Sequence, residues 1–353
     1  MSSDRTEALR ERVVDAAEQK SALAITGGGS KAFYGRAIEG EALAIGDHAG
    51  VISYEPKELV ITARSGTPLV EIEKVLAEQG QRLPFEPPRF STLATVGGAV
   101  ATGLSGPARP YAGSVRDYVL GIRLLNGSGE VLRFGGEVMK NVAGYDVSRL
   151  VTGSLGMLGM ILEVSSKVLP KPETELTLVS ECSSATAIES MNRWAAQPLP
   201  LSATCHDGKK LWIRLAGSEQ AVAAARQEIG GDTAEEGGTF WLDLREQKPA
   251  FFREGPAPLW RLSVRSATPP TGLGQEWVDW GGAQRWLRSE RSDQEIRRAA
   301  RQAGGHALKF RGGDREGDVF HPLSAPVAQF HRRLKRAFDP QGLFNPGRMY
   351  ADL

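Results

Sequence analysis

"LAITGGGSKAFYG", residues 23–35, decides how this chain is read. A short apolar run ends at Thr26, and three glycines, Ser30 and Lys31 follow it. Glycine weakens regular structure, so three in a row mark main chain that must come close to something else. Successive bare amides form a concavity suited to an anion, and a phosphate is the first expectation. "GGGSKA" (27–32) fits the pattern G-x-G-x-x-[GA], which needs a strand before it, a helix after it and an acid roughly 20 residues further on. The strand is present, and Asp47 is loosely placed as the acid. The helix is missing, because "FYGRAIEGEALAIGD" (33–47) has no helical stripe and carries Gly35 and Gly40. A nicotinamide site of the Rossmann kind is therefore disfavoured. On this stretch alone the plain alternative is a glycine-rich surface turn.

Two further clusters speak against the plain alternative. In "TLATVGGAVATGLSGPARPYAGSVRDYVLG" (92–121), Gly97, Gly98, Gly103 and Gly106 alternate with Thr95, Thr102 and Ser105. Glycine allows close main-chain approach and the hydroxyls can bind a ligand. A tight sheet crossing would explain single glycines but not this density. In "VAGYDVSRLVTGSLGMLGMILEV" (142–164), Gly153, Gly156 and Gly159 fall at three-residue steps, and Ile161 begins a strand whose main chain could bond a flat heterocycle.

Outward from these clusters the chain divides. Asp4 can cap a first helix with Leu9, Val13 and Ala16 on its inner face. Strands are predicted at 22–25, 50–54, 58–63, 118–126, 130–134 and 160–169, and a helix after Thr67 with Leu69, Ile72, Val75 and Leu76 facing inward. "NGSG" (126–129) predicts a hairpin between its flanking strands. "PKPE" (170–173) is a boundary, beyond which strands and helices alternate as in a compact α+β sandwich. Near the end, "PVAQFHRRLKRAF" places Val327, Phe330, Leu334 and Phe338 on one helical face, and "DPQGLFNPG" (339–347) stops it.

Bulk properties exclude several classes. The 353 residues, 41% hydrophobic and 24% charged, are those of a soluble globular protein of one large or two ordinary domains. Lys plus Arg (43) nearly balance Asp plus Glu (42), so the net charge of +1 gives no reason to expect nucleic acid or an anionic membrane. No apolar run reaches the roughly 18–20 residues of a membrane span. The first twenty residues lack a signal-peptide core, and a cytosolic start is expected. Cys182 and Cys205 are the only cysteines, so a Cys-ligated iron–sulfur site would have to come from a partner. All seven tryptophans lie between Trp194 and Trp286. Trp277, Trp280 and Trp286, in the polar stretch "EWVDWGGAQRW", are candidates for a partner surface against the commoner use in a core.

The ordered set "TGGGSK", "ATVGGAVATGLSG", "YAGSVRDYVLG", "KNVAGYDVSRLVTGSLGMLGMILE" and "FDPQGLFNPG" resembles FAD-linked oxidases of the vanillyl-alcohol oxidase/PCMH type. The short length, the weak middle region and the ending "LKRAFDPQGLFNPGRMY" resemble most the FAD-binding E subunits of bacterial glycolate oxidases. The resemblance implies an α+β fold: a PCMH-type FAD-binding domain of two α+β lobes (1–170), a smaller α+β sandwich cap domain (171–320), and a C-terminal segment (321–353) returning to the FAD domain. It implies pyrophosphate held by Gly27, Gly28, Gly29 and Ser30, flanked by Thr26 and Lys31. Thr95, Gly97, Gly98, Thr102, Ser105 and Gly106 would line the diphosphate and the isoalloxazine edge. Gly113 and Asp117 fill the next step of the motif, Gly156 and Ile161 would face ribose and adenine, and Asn345 would return towards the flavin.

The resemblance further implies oxidation of glycolate, a 2-hydroxy acid, to glyoxylate. The partners it implies are a larger flavin-binding D-type subunit and an iron–sulfur F-type subunit, with any attachment to the inner membrane coming through them. Many relatives bind FAD covalently through a His in or near the first loop. "TGGGSK" has none, and His48 lies well beyond it, so non-covalent FAD is expected. Relatives that oxidise 2-hydroxy acids carry H-x-G-D-G-N-x-H, whereas this chain shows only "GGHALKFRGG" (304–313), which offers no metal-binding pair. His306 and Arg311 are the candidates for a base and a carboxylate-binding cation, and their opposite parity on a strand counts against joint action. A self-sufficient FAD-linked alcohol or hydroxy-acid oxidase, and a non-catalytic flavin-containing assembly subunit, remain the alternatives.

Overall fold

The computed structural model describes residues 4–136 and 145–353. The "KNVAG" part of the third glycine motif (140–144) lies outside them. The described residues form two compact units. One draws on residues 4–104, 114–136, 145–170 and 315–353; the other on Ser105–Gly113 and Lys171–Asp314.

In the first unit a five-stranded antiparallel sheet runs in the order Val51–Glu55, Val60–Arg64, Met160–Lys167, Val119–Leu125, Val131–Gly135. The two outermost of these on one side form the hairpin that "NGSG" signals, with Leu125 opposite Val131. Asn126 closes its turn by accepting from the Ser128 and Glu130 amides through Oδ1. The helix Leu69–Glu78 buries Leu69, Ile72 and Leu76, as its period requires, against a core that includes Ile61, Val100, Ile122 and Val164. A separate parallel pair, Leu23–Thr26 with Glu41–Ala44, packs with the helix Thr6–Gln19. No helix separates those two strands, as the missing stripe in 33–47 predicts.

The second unit is built on an eight-stranded antiparallel sheet. Its order is Asp232–Thr233, Thr174–Glu181, Lys210–Gly217, Leu201–His206, Gln275–Asp279, Gln284–Arg288, Leu259–Ser263, His306–Arg311. Helices Ser184–Ala195 and Glu219–Ile229 cover one part of its core, and Asp293–Gln302 covers another. Trp277 and Trp286 do not form a partner surface. They are 8% and 7% exposed, and they pack with Phe251, Phe252 and Phe310. Their polar neighbours pair with one another: buried Arg285 donates to Glu276 on the other face of the strands, and buried Gln284 donates to buried Asp279.

The C-terminal helix Ala325–Phe338 also differs from its periodicity. Val327 and Phe330 are 43% and 62% exposed, and the residue it buries is Lys335. Lys335 Nζ donates to Asp339 Oδ2 at 2.7 Å, to Met157 O at 2.9 Å and to Phe344 O at 2.7 Å. Asp339 accepts in turn from the amides of Leu343 and Phe344. Burial pulls the Lys335 ammonium down from its usual range, and the Asp339 carboxylate opposes that. Among the described residues no helix is long and apolar enough to cross a membrane.

Two outcomes follow. Asp339→Ala strands a buried ammonium and two amides, and is expected to cost about 3–5 kcal/mol in urea unfolding. His48 is 1% exposed, accepts from the Arg5 amide at Nδ1, and has its pKa pulled below 6.5, first by burial. The unfolded chain therefore takes up this proton before the folded one does. Stability from His48 is complete above about pH 6.5 and drains away as pH falls towards the folded value. Melting temperature should fall on acidification through this range, and His48→Asn should flatten that part of the profile.

Candidate cofactor site

The site begins at the strand Leu23–Thr26. One edge pairs with Glu41–Ala44; the other is taken by the returning C-terminal segment. Leu23 N donates to Leu343 O at 2.7 Å, Asn345 N to Leu23 O at 2.9 Å, and Ile25 N to Asn345 Oδ1 at 2.8 Å. Asn345 Nδ2 donates to Leu155 O at 2.7 Å. Its side chain thus ties the strand to the third glycine cluster, with its own main chain in the left-handed region at φ 43°. Past Ile25 that edge is left open, and the chain enters the Gly27–Lys31 loop.

The glycines of this loop answer to two different demands. A Cβ on Gly27 would lie 2.6 Å from Thr95 Oγ1, and one on Gly28 would lie 1.5 Å from Leu93 O. The second cluster therefore packs directly against the first. Gly29 has open space around it but sits at φ +67°, which a side chain would strain. The amides of Gly27, Gly28, Gly29 and Ser30 donate to no acceptor among the described residues. Four such donors beside a cavity match an anion.

That cavity is lined by Thr26, Gly27, Gly28, Gly29, Ser30 and Lys31 from the first cluster. Thr95, Gly97, Gly98 and Thr102 come from the second, Gly156 and Ile161 from the third, and Asn345 from the C-terminal segment. Lys31 is 8% exposed, with Nζ 3.5 Å from Arg89 O and 5.7 Å from the centre of the Phe90 ring. Ile25, Ile45, Ala101, Leu155 and Met160 give apolar wall. Neither an imidazole nor a carboxylate is among the described residues lining it.

Several sequence candidates carry duties inside the fold. Thr95 caps the helix Val96–Thr102 by accepting from Gly98 N. Thr102 Oγ1 donates back to Gly98 O at 2.8 Å, so its proton is already used. Asp117 lies away from the cavity and forms a capping box with Ser114. Ser105, Gly106 and Gly113 belong to the second unit. There Gly106 O accepts from Trp280 Nε1 and Gly113 ends the turn Arg109–Ala112 at φ 100°. His306 and Arg311 stand at opposite ends of one edge strand, roughly 16 Å apart. Arg311 donates to Gln247 Oε1, and the fold does not bring the two together. Among the described residues no cluster of His, Cys, Asp and Glu is arranged to hold a metal.

The sequence reading missed Ser65, Tyr34 and Arg348, which also line the cavity. Arg348 lies three residues beyond Asn345. It donates to Ala32 O at 2.7 Å and to Arg36 O at 2.8 Å, and burial lowers its pKa. Arg36 reciprocates on Gly347 O, and Arg315 holds Phe33 O and Gly35 O. Three guanidiniums thus brace the chain just after the glycine loop. Gly28→Ala should displace the loop from Leu93 and yield folded protein, by circular dichroism, that loses its flavin on desalting.

A family model described as an FAD binding domain matches residues 3–135. The glycolate oxidase subunit GlcE of Escherichia coli K12 is 52% identical over 351 residues, covering 99% of each chain. The glycolate oxidase subunit GlcD of Bacillus subtilis is 32% identical over 130 residues, 37% of this chain and 27% of that one. Among solved structures, an alkyldihydroxyacetonephosphate synthase superposes with a TM-score of 0.69 at 16% identity, over 96% of this chain and 75% of the other, a likeness of fold. From its similarity to GlcE along nearly its whole length, the chain belongs to the family of FAD-binding glycolate oxidase subunits.

Proposed function

We propose that this chain carries non-covalent FAD in the cavity described above and works as the E-type subunit of a complex that oxidises glycolate to glyoxylate. The observation that carries the reading is the convergence of three glycine clusters and Asn345 on one cavity, with four main-chain amides there lacking acceptors. Gly27–Ser30 would hold the diphosphate, whose two negative charges are matched by the two cations of the lining, Lys31 and Arg348. Ile25, Ile45, Met160 and Ile161 would flank a flat heterocycle. Bound FAD supplies the two-electron acceptor that oxidation of a 2-hydroxy acid requires.

Removing a proton from a substrate hydroxyl needs a base within hydrogen-bond reach. The described lining residues contain no imidazole or carboxylate, which favours a D-type sister as the source of that base. An iron–sulfur F-type partner would take the electrons onward. Cys205 is wholly buried and Cys182 is partly so, which suits neither to join a cluster. His48 is buried and bonded to the Arg5 amide, which supports attachment without a covalent link.

The test is anaerobic titration of the co-purified complex with glycolate. The yellow flavin absorbance is expected to bleach, and acid precipitation should release the flavin into the supernatant. Bleaching by this chain alone would instead establish a self-sufficient oxidase. Full glycolate oxidation by a complex bearing Gly28→Ala, and no flavin on this chain, would establish an assembly role. Recombinant chain that retains no FAD after desalting would overturn the reading.

A further inference from the structure

Ser65 follows the strand Val60–Arg64 and is 1% exposed. Its main chain is fully engaged: the amide donates to Leu162 O at 2.8 Å, and the carbonyl accepts from Gly97 N at 2.8 Å. Gly97 packs closely against it: a Cβ there would come within 2.5 Å of Ser65 Cβ. Yet Ser65 Oγ, buried in the wall of the cavity, has no hydrogen-bond partner among the described residues.

The contrast with its neighbours is informative. Thr95 Oγ1 accepts from Gly98 N, and Thr102 Oγ1 donates to Gly98 O and Ala99 O. Just outside the cavity, Thr67 Oγ1 donates to Arg64 O and accepts from Gly50 N. Each of these hydroxyls has at least one partner within the fold. A buried hydroxyl without a partner costs free energy that an alanine would not. Its place in the lining indicates where the missing partner sits.

We propose that Ser65 is a cofactor-binding residue whose hydroxyl donates a hydrogen bond to an acceptor atom of FAD. The proposal rests on FAD occupying this cavity. It adds a contact from the strand end at residue 65, which belongs to none of the three glycine clusters. The acceptor is a phosphate oxygen or a carbonyl or nitrogen of the flavin ring, and the two are separable by experiment.

The full chain and its Ser65→Ala variant are stripped of flavin and titrated with FAD, following flavin fluorescence. The variant is expected to bind FAD roughly 5–20-fold more weakly, the worth of one hydrogen bond. In the flavin-free state its melting temperature should equal or exceed that of the parent, because an unsatisfied hydroxyl has been removed. This opposition of sign separates a ligand contact from a structural role. Ser65→Cys, similar in shape and a weaker donor, should fall between the two. ADP weakened by the same factor assigns the acceptor to the diphosphate half; riboflavin weakened instead assigns it to the ring. Equal FAD affinity of variant and parent, as a bridging water would give, overturns the proposal. So does a flavin-free variant that loses stability in step with affinity. A parent that binds no FAD condemns the functional reading instead. Where stripping unfolds the chain, the FAD dissociation rate of the holoprotein on dilution gives the same comparison.

Discussion

The buried pair of Lys335 and Asp339 is the constraint on which the cofactor unit depends. Two opposite charges out of water gain little over an apolar pair unless their remaining hydrogen-bonding capacity is met. Here it is met by main chain: two carbonyls on the ammonium and two amides on the carboxylate. These contacts set the path of residues 339–345, and that path delivers Leu343 and Asn345 to the free edge of Leu23–Thr26. Asn345 then reaches Leu155 and fixes the third glycine cluster. An interaction far from the glycine loop in sequence thereby shapes the cavity next to it.

The three clusters use glycine for different physical reasons. At residues 27, 28 and 97 the missing Cβ lets one segment lie against another. At residues 29 and 156 it permits a left-handed main chain. The density of glycine that marks a ligand site is thus partly a density of close main-chain packing around that site. The hydroxyls divide in the same way. Thr95 and Thr102 hold the helix between them in shape and leave the bare amides to the ligand.

Much of this was legible because the decisive signals are local. A strand running into three glycines, without a helix behind it, separates this fold from a Rossmann unit on the sequence alone. Asn345 was legible through its motif. The C-terminal helix was misjudged because a period reveals a face but not what covers it; Phe338 packs partly against the core while Val327 and Phe330, further back on the same face, are exposed. Trp277 and Trp286 were misjudged because their polar neighbours are themselves largely buried and bonded to one another, which a polar stretch of sequence does not reveal. Ser65 carries no motif, and Arg348 lies within the C-terminal motif without being singled out by it. Their roles come from contacts 32 residues away in one case, with Gly97, and 316 in the other, with Ala32.

The return of the C-terminal segment has a consequence for biosynthesis. Chains emerge from the ribosome N-terminus first, so the glycine loop appears long before the residues that complete its surroundings. Until residues 335–348 have left the exit tunnel, the Leu23–Thr26 edge lacks Leu343 and Asn345, and the loop lacks the Arg348 brace. The surroundings of the loop are therefore completed late in synthesis, and a product truncated before Leu343 would lack the segment that closes the strand edge and contributes Asn345 and Arg348 to the cavity.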